Sequence, residues 1–119
     1  MLLNLSNHPK DKWDEHQLNT ALSLFGKVVD MSFPQIDPHA TEKEIELLAE
    51  RYAAEIFAMQ GRDKLTVHVM GEMTFTFALV FRLKQLGIAS VASTSERNVE
   101  IVSDSEKKVY FSFVRFRYY

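Results

Sequence analysis

The chain has 119 residues, of which 46% are hydrophobic and 25% are charged. This length and composition are typical of one globular domain, spanning residues 1–119, and they exclude a mostly disordered chain. The formal net charge of −2 excludes a protein that coats long nucleic acids through a basic surface. The absence of cysteine excludes disulfides, thiolate metal sites and cysteine nucleophiles, and it suits a reducing compartment.

Sequence signals for membranes, metals and common cofactors are missing. No apolar run approaches the ~20 residues that span a bilayer, and the first residues lack the basic segment of a signal peptide. We therefore expect a cytoplasmic protein with no membrane partner. The chain also lacks a His-x-x-x-His pair, a Walker A motif and a Gly-x-Gly-x-x-Gly run. We expect neither a metal site nor a cofactor.

The first half of the chain predicts two strands, each followed by a helix. Residues 1–6 form a short apolar strand, and residues 13–25 carry apolar side chains at helical spacing and end before a glycine. Residues 28–33 read as the second strand, followed by a proline-rich loop. Thr41 and Glu44 then form a capping box that opens a long amphipathic helix.

The second half continues this alternation and then changes. Residues 65–70 predict a third strand, residues 73–86 a helix closed by a glycine, and residues 88–92 a fourth strand. Residues 99–102 and 109–116 predict a hairpin at a sheet edge. Alternating strands and helices indicate a parallel sheet with helices on both faces. The sequence therefore predicts the α/β class, as a single Rossmann-like three-layer domain with a mostly parallel sheet and a C-terminal antiparallel hairpin.

Polar segments follow the first four predicted strands, and the segment after the second strand contains Asp37 and His39. Ligands of open parallel sheets bind beyond the carboxyl ends of the strands, so we expect these segments to share one ligand-binding edge. A glycine turn with free N–H groups, hydroxyls and an arginine are groups that hold phosphate oxygens, and a histidine transfers protons near neutral pH. The candidate ligand-binding residues are Ser6, Asn7, Gly71, Glu72, Met73, Thr74, Thr94 and Ser95, and the candidate catalytic residues are His8 and Arg97.

Each segment also has a structural interpretation, which the sequence leaves open. The turn at Gly71 is also typical of any strand-to-helix connection capped by Thr74, and Glu72 would repel an anion unless a cation pairs with it. Residues 93–97 would equally form a solvated turn. A histidine beside a proline, such as His8, is often a surface or capping residue.

Two apolar or aromatic features suggest partners. The helix over residues 73–86 is apolar around more than one face, which favours cover by a second subunit in a homodimer or by the hairpin of the same chain. The terminal arginines Arg115 and Arg117 alternate with aromatic residues, a pattern that suits an RNA contact or a charged edge strand.

Two short motifs resemble a known class of proteins. The first motif is LNLSNHP at residues 3–9. The second motif is VMGEMT at residues 69–74, and it leads into the predicted apolar helix. They resemble the small stand-alone CRISPR-associated proteins of the CARF-like, Rossmann-type class that accompany type III systems. The resemblance implies a homodimer that binds a cyclic oligoadenylate, and a ring nuclease that cleaves this messenger without metal. It places Ser6, Asn7 and His8 in the ligand site, with the turn that begins at Gly71 against the phosphates.

The cleavage that this resemblance implies is metal-independent transphosphorylation. The ribose 2′-hydroxyl attacks the adjacent phosphorus, and the protein aligns the backbone and stabilises charge. Arg97 and the Gly71 turn would stabilise the phosphorane, and His8 would act as acid or base. Two alternatives remain open, namely a binding module that holds a nucleotide without turnover and a dimeric interaction module whose apolar helix is the functional surface.

Overall fold

The structure, a computed structural model, describes residues 1–61 and 64–119. Within these residues, five strands and three α-helices alternate along the chain, and a 3-10 turn, Lys10–Lys12, follows the first strand. None of the described helices is long and apolar enough to cross a membrane. The strands are β1 (Leu2–Ser6), β2 (Val28–Asp30), β3 (Thr66–Met70), β4 (Ala89–Ser103) and β5 (Glu106–Tyr118), and the helices are α1 (Glu15–Phe25), α2 (Glu42–Ala58) and α3 (Met73–Gln85).

The five described strands form one sheet in the order β2-β1-β3-β4-β5. β1 pairs in parallel with β2 and β3, β3 pairs in parallel with β4, and β4 pairs antiparallel with β5. The predicted α/β class, with a mostly parallel sheet and an antiparallel C-terminal pair, is therefore confirmed and is compatible with a Rossmann-like domain. Because β2 and β3 lie on opposite sides of β1, the strand order reverses between β1 and β3, which opens a crevice at their carboxyl ends.

The alternation of side chains along the strands divides the core into two layers. Leu3, Leu5 and Val67 are buried on the side of the sheet that α2 and α3 cover, because successive residues of a strand point to opposite faces. Leu2 is buried on the other side, together with Ala21 of α1. The sheet therefore lies between two helical layers.

Local capping sets where the first two helices begin. α2 begins with the predicted capping box, in which the Thr41 hydroxyl accepts a hydrogen bond from the Glu44 N–H at 3.3 Å. α1 begins two residues after Trp13, its predicted start, because the carboxylate of Asp14 accepts a hydrogen bond from the Gln17 N–H at 2.7 Å. Trp13 therefore lies outside the helix.

The second strand is shorter than predicted. It ends at Asp30, whereas the sequence pattern indicated a strand over residues 28–33. The chain beyond it leaves the sheet, and the ring of Phe33 lies edge-on to Phe75 with centroids 5.3 Å apart. The apolar character of this segment therefore reflects packing against α3 and not strand pairing.

Gly71, directly after β3, is explained by the same aromatic packing. A Cβ built on Gly71 would overlap the ring of Phe33. The sequence predicts that this glycine lies in a turn whose N–H groups hold phosphate oxygens. In the fold, the space that a side chain would need at this position holds Phe33 instead.

The fourth strand is longer than predicted, and the expected turn over residues 93–97 is wrong. These residues lie inside β4, which pairs with β5 from Val91, opposite Tyr118, to Ser103, opposite Glu106. Local composition favours a turn here because serine, threonine and glutamate are common in loops. Pairing with β5 along the whole segment overrides that preference.

A bulge in β5 places two aromatic side chains in the same core layer. Thr94 pairs with Arg115 and the next residue of β4 pairs with Phe113, so Val114 is left without a partner. Phe113 and Phe116 are three residues apart along β5, and both are buried in the layer that α1 covers. Without the extra residue, one of the two rings would point to the opposite face.

Beyond the body of the domain, β4 and β5 continue as a two-stranded arm. Pairing of β4 with β3 ends where His68 lies opposite Val91, whereas pairing with β5 continues for twelve more residues of β4, to Ser103. The radius of gyration is 16.2 Å, compared with about 13.5 Å for a compact chain of this length. One face of the arm is apolar and exposed, and its side chains include Val99, Ile101 and Phe111.

We predict that Gly71→Ala destabilises the fold, because the new methyl group forces the Phe33 ring out of its contact with Phe75. The expected loss is about 1–3 kcal/mol in the free energy of unfolding, measured by urea denaturation. Phe33→Leu gives the matched background, since the smaller side chain leaves room for the methyl group. Equal losses from Gly71→Ala in the wild-type and Phe33→Leu backgrounds would contradict this explanation.

Candidate functional site

The candidate site is a cleft of about 420 Å³ at the carboxyl ends of β1 and β3, where the strand order reverses. Larger depressions lie elsewhere in the described part of the chain. Two are of about 510 Å³, one between α2 and α3 and one at the amino ends of the strands, and one of about 430 Å³ lies between α2 and the start of α3. The cleft differs from these depressions because it combines the switch point with convergent polar groups. Its lining residues are Ser6, Asn7, His8, Trp13, Gln17, His68, Met70, Gly71, Ser93, Ser95 and Phe111.

The floor of the cleft is a network of buried polar side chains centred on Asn4. The Asn4 Nδ2 donates hydrogen bonds to the His8 carbonyl and to Asp30 Oδ1, each at 2.9 Å. The Asn4 Oδ1 accepts from the Ser6 hydroxyl at 2.8 Å and lies 2.8 Å from His68 Nδ1. Asn4 and His68 lie directly opposite each other in the parallel pairing of β1 and β3. The register of two strands therefore assembles the floor.

His68 is the central titratable group of this floor. Its side chain is only 2% exposed, and burial lowers its pKa from 6.5 to about 4, because desolvation disfavours the charged imidazolium. Two aromatic rings contact its imidazole in T-shaped geometry, with centroid distances of 5.4 Å to Trp13 and 5.7 Å to Phe116. Its Nε2 lies 3.2 Å from the Ser93 hydroxyl. His68 is therefore neutral at physiological pH.

The turn that carries His8 is held rigidly by its carbonyl group. This oxygen accepts hydrogen bonds from Asn4 Nδ2 at 2.9 Å and from Trp13 Nε1 at 3.0 Å. The Ser6 oxygen, whose hydrogen is donated to Asn4 Oδ1, lies 3.0 Å from it. The Asn7 N–H donates to the Met70 carbonyl at 3.3 Å and joins the turn to the end of β3. The backbone at His8 is thus fixed, and the residue lines the cleft at an exposed position.

Aromatic side chains flank the polar floor on two sides. The indole of Trp13 stands at one wall, held by the hydrogen bond to the His8 carbonyl. Phe111, at the base of the arm, contributes the other wall and is 66% exposed. A cleft with aromatic walls and a polar floor suits a ligand that combines a planar ring with hydroxyl groups.

The structure brings half of the predicted site residues to this cleft. Ser6, Asn7, His8, Gly71 and Ser95 line it. They come from three strands that are distant in sequence, and the carboxyl ends of β1 and β3 unite them as expected. Their assignment to ligand binding or catalysis stays a prediction.

The predicted phosphate cradle at the start of α3 is already occupied by the protein itself. Glu72 is the N-cap of α3, and its carboxylate accepts hydrogen bonds from the N–H groups of Thr74 and Phe75 and from the Thr74 hydroxyl at 2.6 Å. Hydrogen bonding to Thr74 lowers the pKa of Glu72. Because the Glu72 carboxylate already accepts from two N–H groups of the first turn, a phosphate there would meet a negative charge in place of these two donors. Met73 and Thr74 instead line a depression against α2.

Thr94 and Arg97, two predicted site residues in the middle of β4, do not line the cleft. The Thr94 hydroxyl donates to the Arg115 carbonyl at 3.2 Å across the hairpin, and Thr94 lies outside the lining of the cleft. Arg97 lies opposite Phe111, two residues beyond Ser95. Residues two apart on a strand, and residues directly opposite, point to the same face. Arg97 therefore stands at the mouth of the cleft without lining it.

Asn4, His68 and Trp13 were not predicted as members of the site, and Ser93 was predicted only as part of the polar run over residues 93–97. A signal for Asn4 and His68 is present, because each is a polar residue at the centre of an otherwise apolar strand and falls on the face opposite the leucines or valines. Trp13 carries no comparable signal. In the described part of the chain, no group of three or more His, Asp or Glu side chains is arranged to hold a metal ion.

We predict that the neutral state of His68 makes folding pH-dependent. In contact with its imidazole are the uncharged Asn4, Ser93, Trp13 and Phe116. The unfolded chain binds a proton below pH 6.5 and the folded chain only below about pH 4, so the free energy of unfolding falls as the pH falls through this window. The expected loss is about 3 kcal/mol.

The measurement is urea denaturation across this pH range for the wild type and for His68→Gln. The variant removes the titrating group, so its stability should fall less than that of the wild type between pH 6.5 and 4. Carboxylates titrate equally in both proteins and cancel in the comparison. Parallel pH profiles for the two proteins would refute the buried neutral histidine.

Comparison with known proteins relates nearly the whole chain to one family. Residues 1–117 match the family model described as Uncharacterized protein MJ1673 family. Comparison with the curated proteins and with the solved structures gives no match. Because the family model covers far more than half of the chain, the chain belongs to the MJ1673 family of uncharacterized proteins.

Proposed function

We propose that the cleft binds an adenine nucleotide of the cyclic oligoadenylate class and cleaves it without a metal ion. The observation that carries this proposal is the juxtaposition of two aromatic walls, Trp13 and Phe111, with a floor of hydroxyl and imidazole groups at the strand switch point. Doubly wound sheets bind nucleotides at this position. The resemblance of residues 3–9 and 69–74 to CARF-like CRISPR-associated proteins supports the same ligand class.

The walls suit the base of a nucleotide. Stacking of a base on an aromatic ring contributes about 1–3 kcal/mol per base, and the Trp13 ring is held in place by its hydrogen bond to the His8 carbonyl. The cleft of about 420 Å³ has room for one nucleotide unit but not for a whole cyclic oligomer. The remainder of the ligand would lie along the open mouth, next to the arm.

The mouth of the cleft supplies the groups that the reaction needs. The ribose 2′-oxygen attacks the adjacent phosphorus, the bond from phosphorus to the 5′-oxygen breaks, and the products carry a 2′,3′-cyclic phosphate and a 5′-hydroxyl. His8 takes the 2′-hydroxyl proton or supplies the proton that the 5′-oxygen needs. Arg97, on the same face of the arm as Ser95 and Phe111, places its positive charge against the phosphorane.

The Glu72 carboxylate, which caps the N-terminus of α3, limits the positions that a phosphate can occupy in the cleft. A phosphate at the start of α3 would meet a carboxylate that already occupies the N–H groups of Thr74 and Phe75. We therefore place the phosphate near Arg97 and the Asn7–His8 turn, away from α3. This departs from the sequence expectation that the Gly71 turn holds it.

We predict that the purified protein converts a cyclic tri-, tetra- or hexa-adenylate to linear products ending in a 2′,3′-cyclic phosphate, in EDTA and with no added metal. His8→Ala should lower the cleavage rate by about 10²-fold or more while binding persists, because it removes the proton-transfer group. Arg97→Ala should weaken binding by about tenfold, since it removes a charge-assisted contact. Chromatography of products and calorimetric titration provide the two readouts.

Two exposed side chains of α2 and its preceding loop provide matched controls. His39→Ala removes a histidine that contacts Asp37 and lies outside the cleft, and Arg51→Ala removes an arginine from the exposed surface of α2. Both variants should cleave at the wild-type rate. Tight binding of a ligand that is recovered unchanged would indicate a nucleotide-binding sensor and not a nuclease. The absence of both binding and cleavage would overturn the proposal.

A second candidate function, a dimeric interaction module, is favoured by the outer face of α3. Phe77 is 74% exposed and Phe81 is 53% exposed, and their rings stack with centroids 6.5 Å apart. The hairpin does not cover them, because its core residues Phe113 and Phe116 are buried in the layer on the α1 side. Cover of α3 by the hairpin of the same chain, one of the two sequence interpretations, is therefore wrong for this face.

The charges around this face suit a second copy of the chain. Glu42 and Glu46 lie beside Phe77, toward the start of α3, whereas Arg82 lies with Glu50 beside Phe81, toward its end. A twofold axis between the two rings places the Arg82 of each copy against the carboxylates Glu42 and Glu46 of the other copy. The proposed homodimer therefore joins two α3 helices in antiparallel orientation.

We predict that Phe77→Glu converts a dimer to a monomer, raising the dissociation constant by about 30-fold or more, because it buries an unpaired charge at the centre of the contact. Leu24→Glu, at an exposed position on α1, is the matched control and should leave the dimer intact. Sedimentation velocity over a concentration series distinguishes the states. A monomeric wild type, or a dimer that persists in the Phe77→Glu variant, would contradict the proposed interface between the two α3 helices.

A further inference from the structure

We propose that Ser93 is a specificity-determining residue that only accepts hydrogen bonds from the ligand, and that it recognises a donor group such as a ribose hydroxyl. This inference rests on the proposed nucleotide function of the cleft. It follows from the chain of hydrogen bonds that runs from Asp30 through Asn4 and His68 to Ser93. Each member of the chain fixes the proton position of the next.

The first link fixes the orientation of the Asn4 amide. Its Nδ2 lies 2.9 Å from both Asp30 Oδ1 and the His8 carbonyl. A carboxylate and a carbonyl only accept, so the group facing them must be the donor NH₂ of the amide. Asp30 Oδ1 also accepts from the Lys10 N–H at 3.1 Å. The Asn4 oxygen therefore faces His68.

The second link fixes the tautomer of His68. Its Nδ1 lies 2.8 Å from Asn4 Oδ1, an atom that only accepts, so Nδ1 carries the proton. The buried imidazole is neutral, because desolvation lowers its pKa to about 4. A neutral ring with a proton on Nδ1 has a free lone pair on Nε2. That lone pair points to the Ser93 hydroxyl, 3.2 Å away.

The third link fixes the hydroxyl of Ser93. Its single hydrogen is donated to His68 Nε2, and its oxygen keeps only lone pairs. The Met70 Sδ lies 3.0 Å from the same oxygen, but a thioether is a weak acceptor and competes poorly with an imidazole nitrogen. Ser93 is half-buried and lines the cleft. Toward a ligand, it can therefore accept but not donate.

This polarity selects between the parts of a nucleotide. A phosphodiester has no proton to donate, so its oxygens meet only lone pairs at Ser93 and are repelled. A ribose hydroxyl or the exocyclic amine of adenine donates and is accepted. A site built to bond a hydroxyl rejects an analogue that lacks it, because its own polar group is then left unpaired. Ser93 thus orients the ligand with sugar or base toward the floor and phosphate toward the mouth.

The ligand-free protein tests the polarity of Ser93 directly. Long-range ¹⁵N–¹H correlation spectra of the histidine rings report which nitrogen carries the proton. We expect His68 to show the Nδ1–H tautomer and to keep it across neutral pH. A spectrum with the proton on Nε2, or with both nitrogens protonated, would overturn the assignment, since Ser93 would then be free to donate.

Binding measurements test the ligand group. The probes are cyclic tetra-adenylate, its 2′-deoxy analogue and cyclic tetra-inosinate, which lacks the exocyclic amine, each titrated by calorimetry. We expect the wild type to bind the adenylate about tenfold or more tightly than the deoxy analogue, and Ser93→Ala to reduce that preference to about twofold or less. Ser23→Ala, which removes an exposed hydroxyl from α1, is the matched control and should keep the wild-type preference.

The outcomes separate this inference from the function on which it rests. Loss of discrimination only against the inosinate in Ser93→Ala would assign the accepted donor to the base and still support an accepting Ser93. Equal discrimination by the wild type and Ser93→Ala against both analogues would overturn the inference while leaving nucleotide binding intact. Failure of the wild type to bind any of the three probes would overturn the proposed function and this ligand class together, and the tautomer spectrum would still decide the polarity of Ser93.

Discussion

A single buried contact, between the Asn4 amide and the His68 imidazole, links the fold to the site. These two side chains meet because β1 and β3 pair in parallel with Asn4 opposite His68. Burying a polar group is costly unless it is hydrogen-bonded. A slip of one residue in this register would turn one of the two side chains to the opposite face of the sheet and leave both without this partner. The polar pair therefore specifies the register of the central strands as well as the floor of the cleft.

The shape of the cleft depends on where α1 begins and on how far the arm of β4 and β5 extends. Asp14 caps α1 and also accepts a hydrogen bond from the Phe113 N–H at 3.3 Å, so one carboxylate ties the start of the helix to the last strand. Trp13 is left outside the helix and becomes a wall of the cleft. On the far side, the bulge at Val114 keeps Phe113 and Phe116 under α1, and the arm carries Phe111 beyond them. Packing and ligand access thus depend on the same few residues.

The charge of the site is distributed differently from that of a glycine-rich phosphate loop. Its floor is neutral, because burial keeps His68 uncharged and the Asn4 amide separates it from Asp30. The helix N-terminus beside it is neutralised by the carboxylate of Glu72. Arg97, opposite Phe111, brings a positive charge to the exposed mouth. A ligand with an anionic backbone and neutral rings would therefore lie with its rings inward, which agrees with the polarity inferred for Ser93.

The sequence by itself determined the class of fold, the order of its strands and helices, the start of α2 at Thr41 and the polar turn at Ser6–His8. These features follow from periodicity, caps and glycines within a few neighbouring residues. Tertiary structure alone decided that residues 93–97 continue β4, that Glu72 and not Thr74 caps α3, and that His68 faces Asn4. The last contact joins residues 64 apart in the chain, and its strand register depends on packing that no local pattern contains. Half of the predicted site residues lie at one cleft because the carboxyl ends of parallel strands share one edge of the sheet.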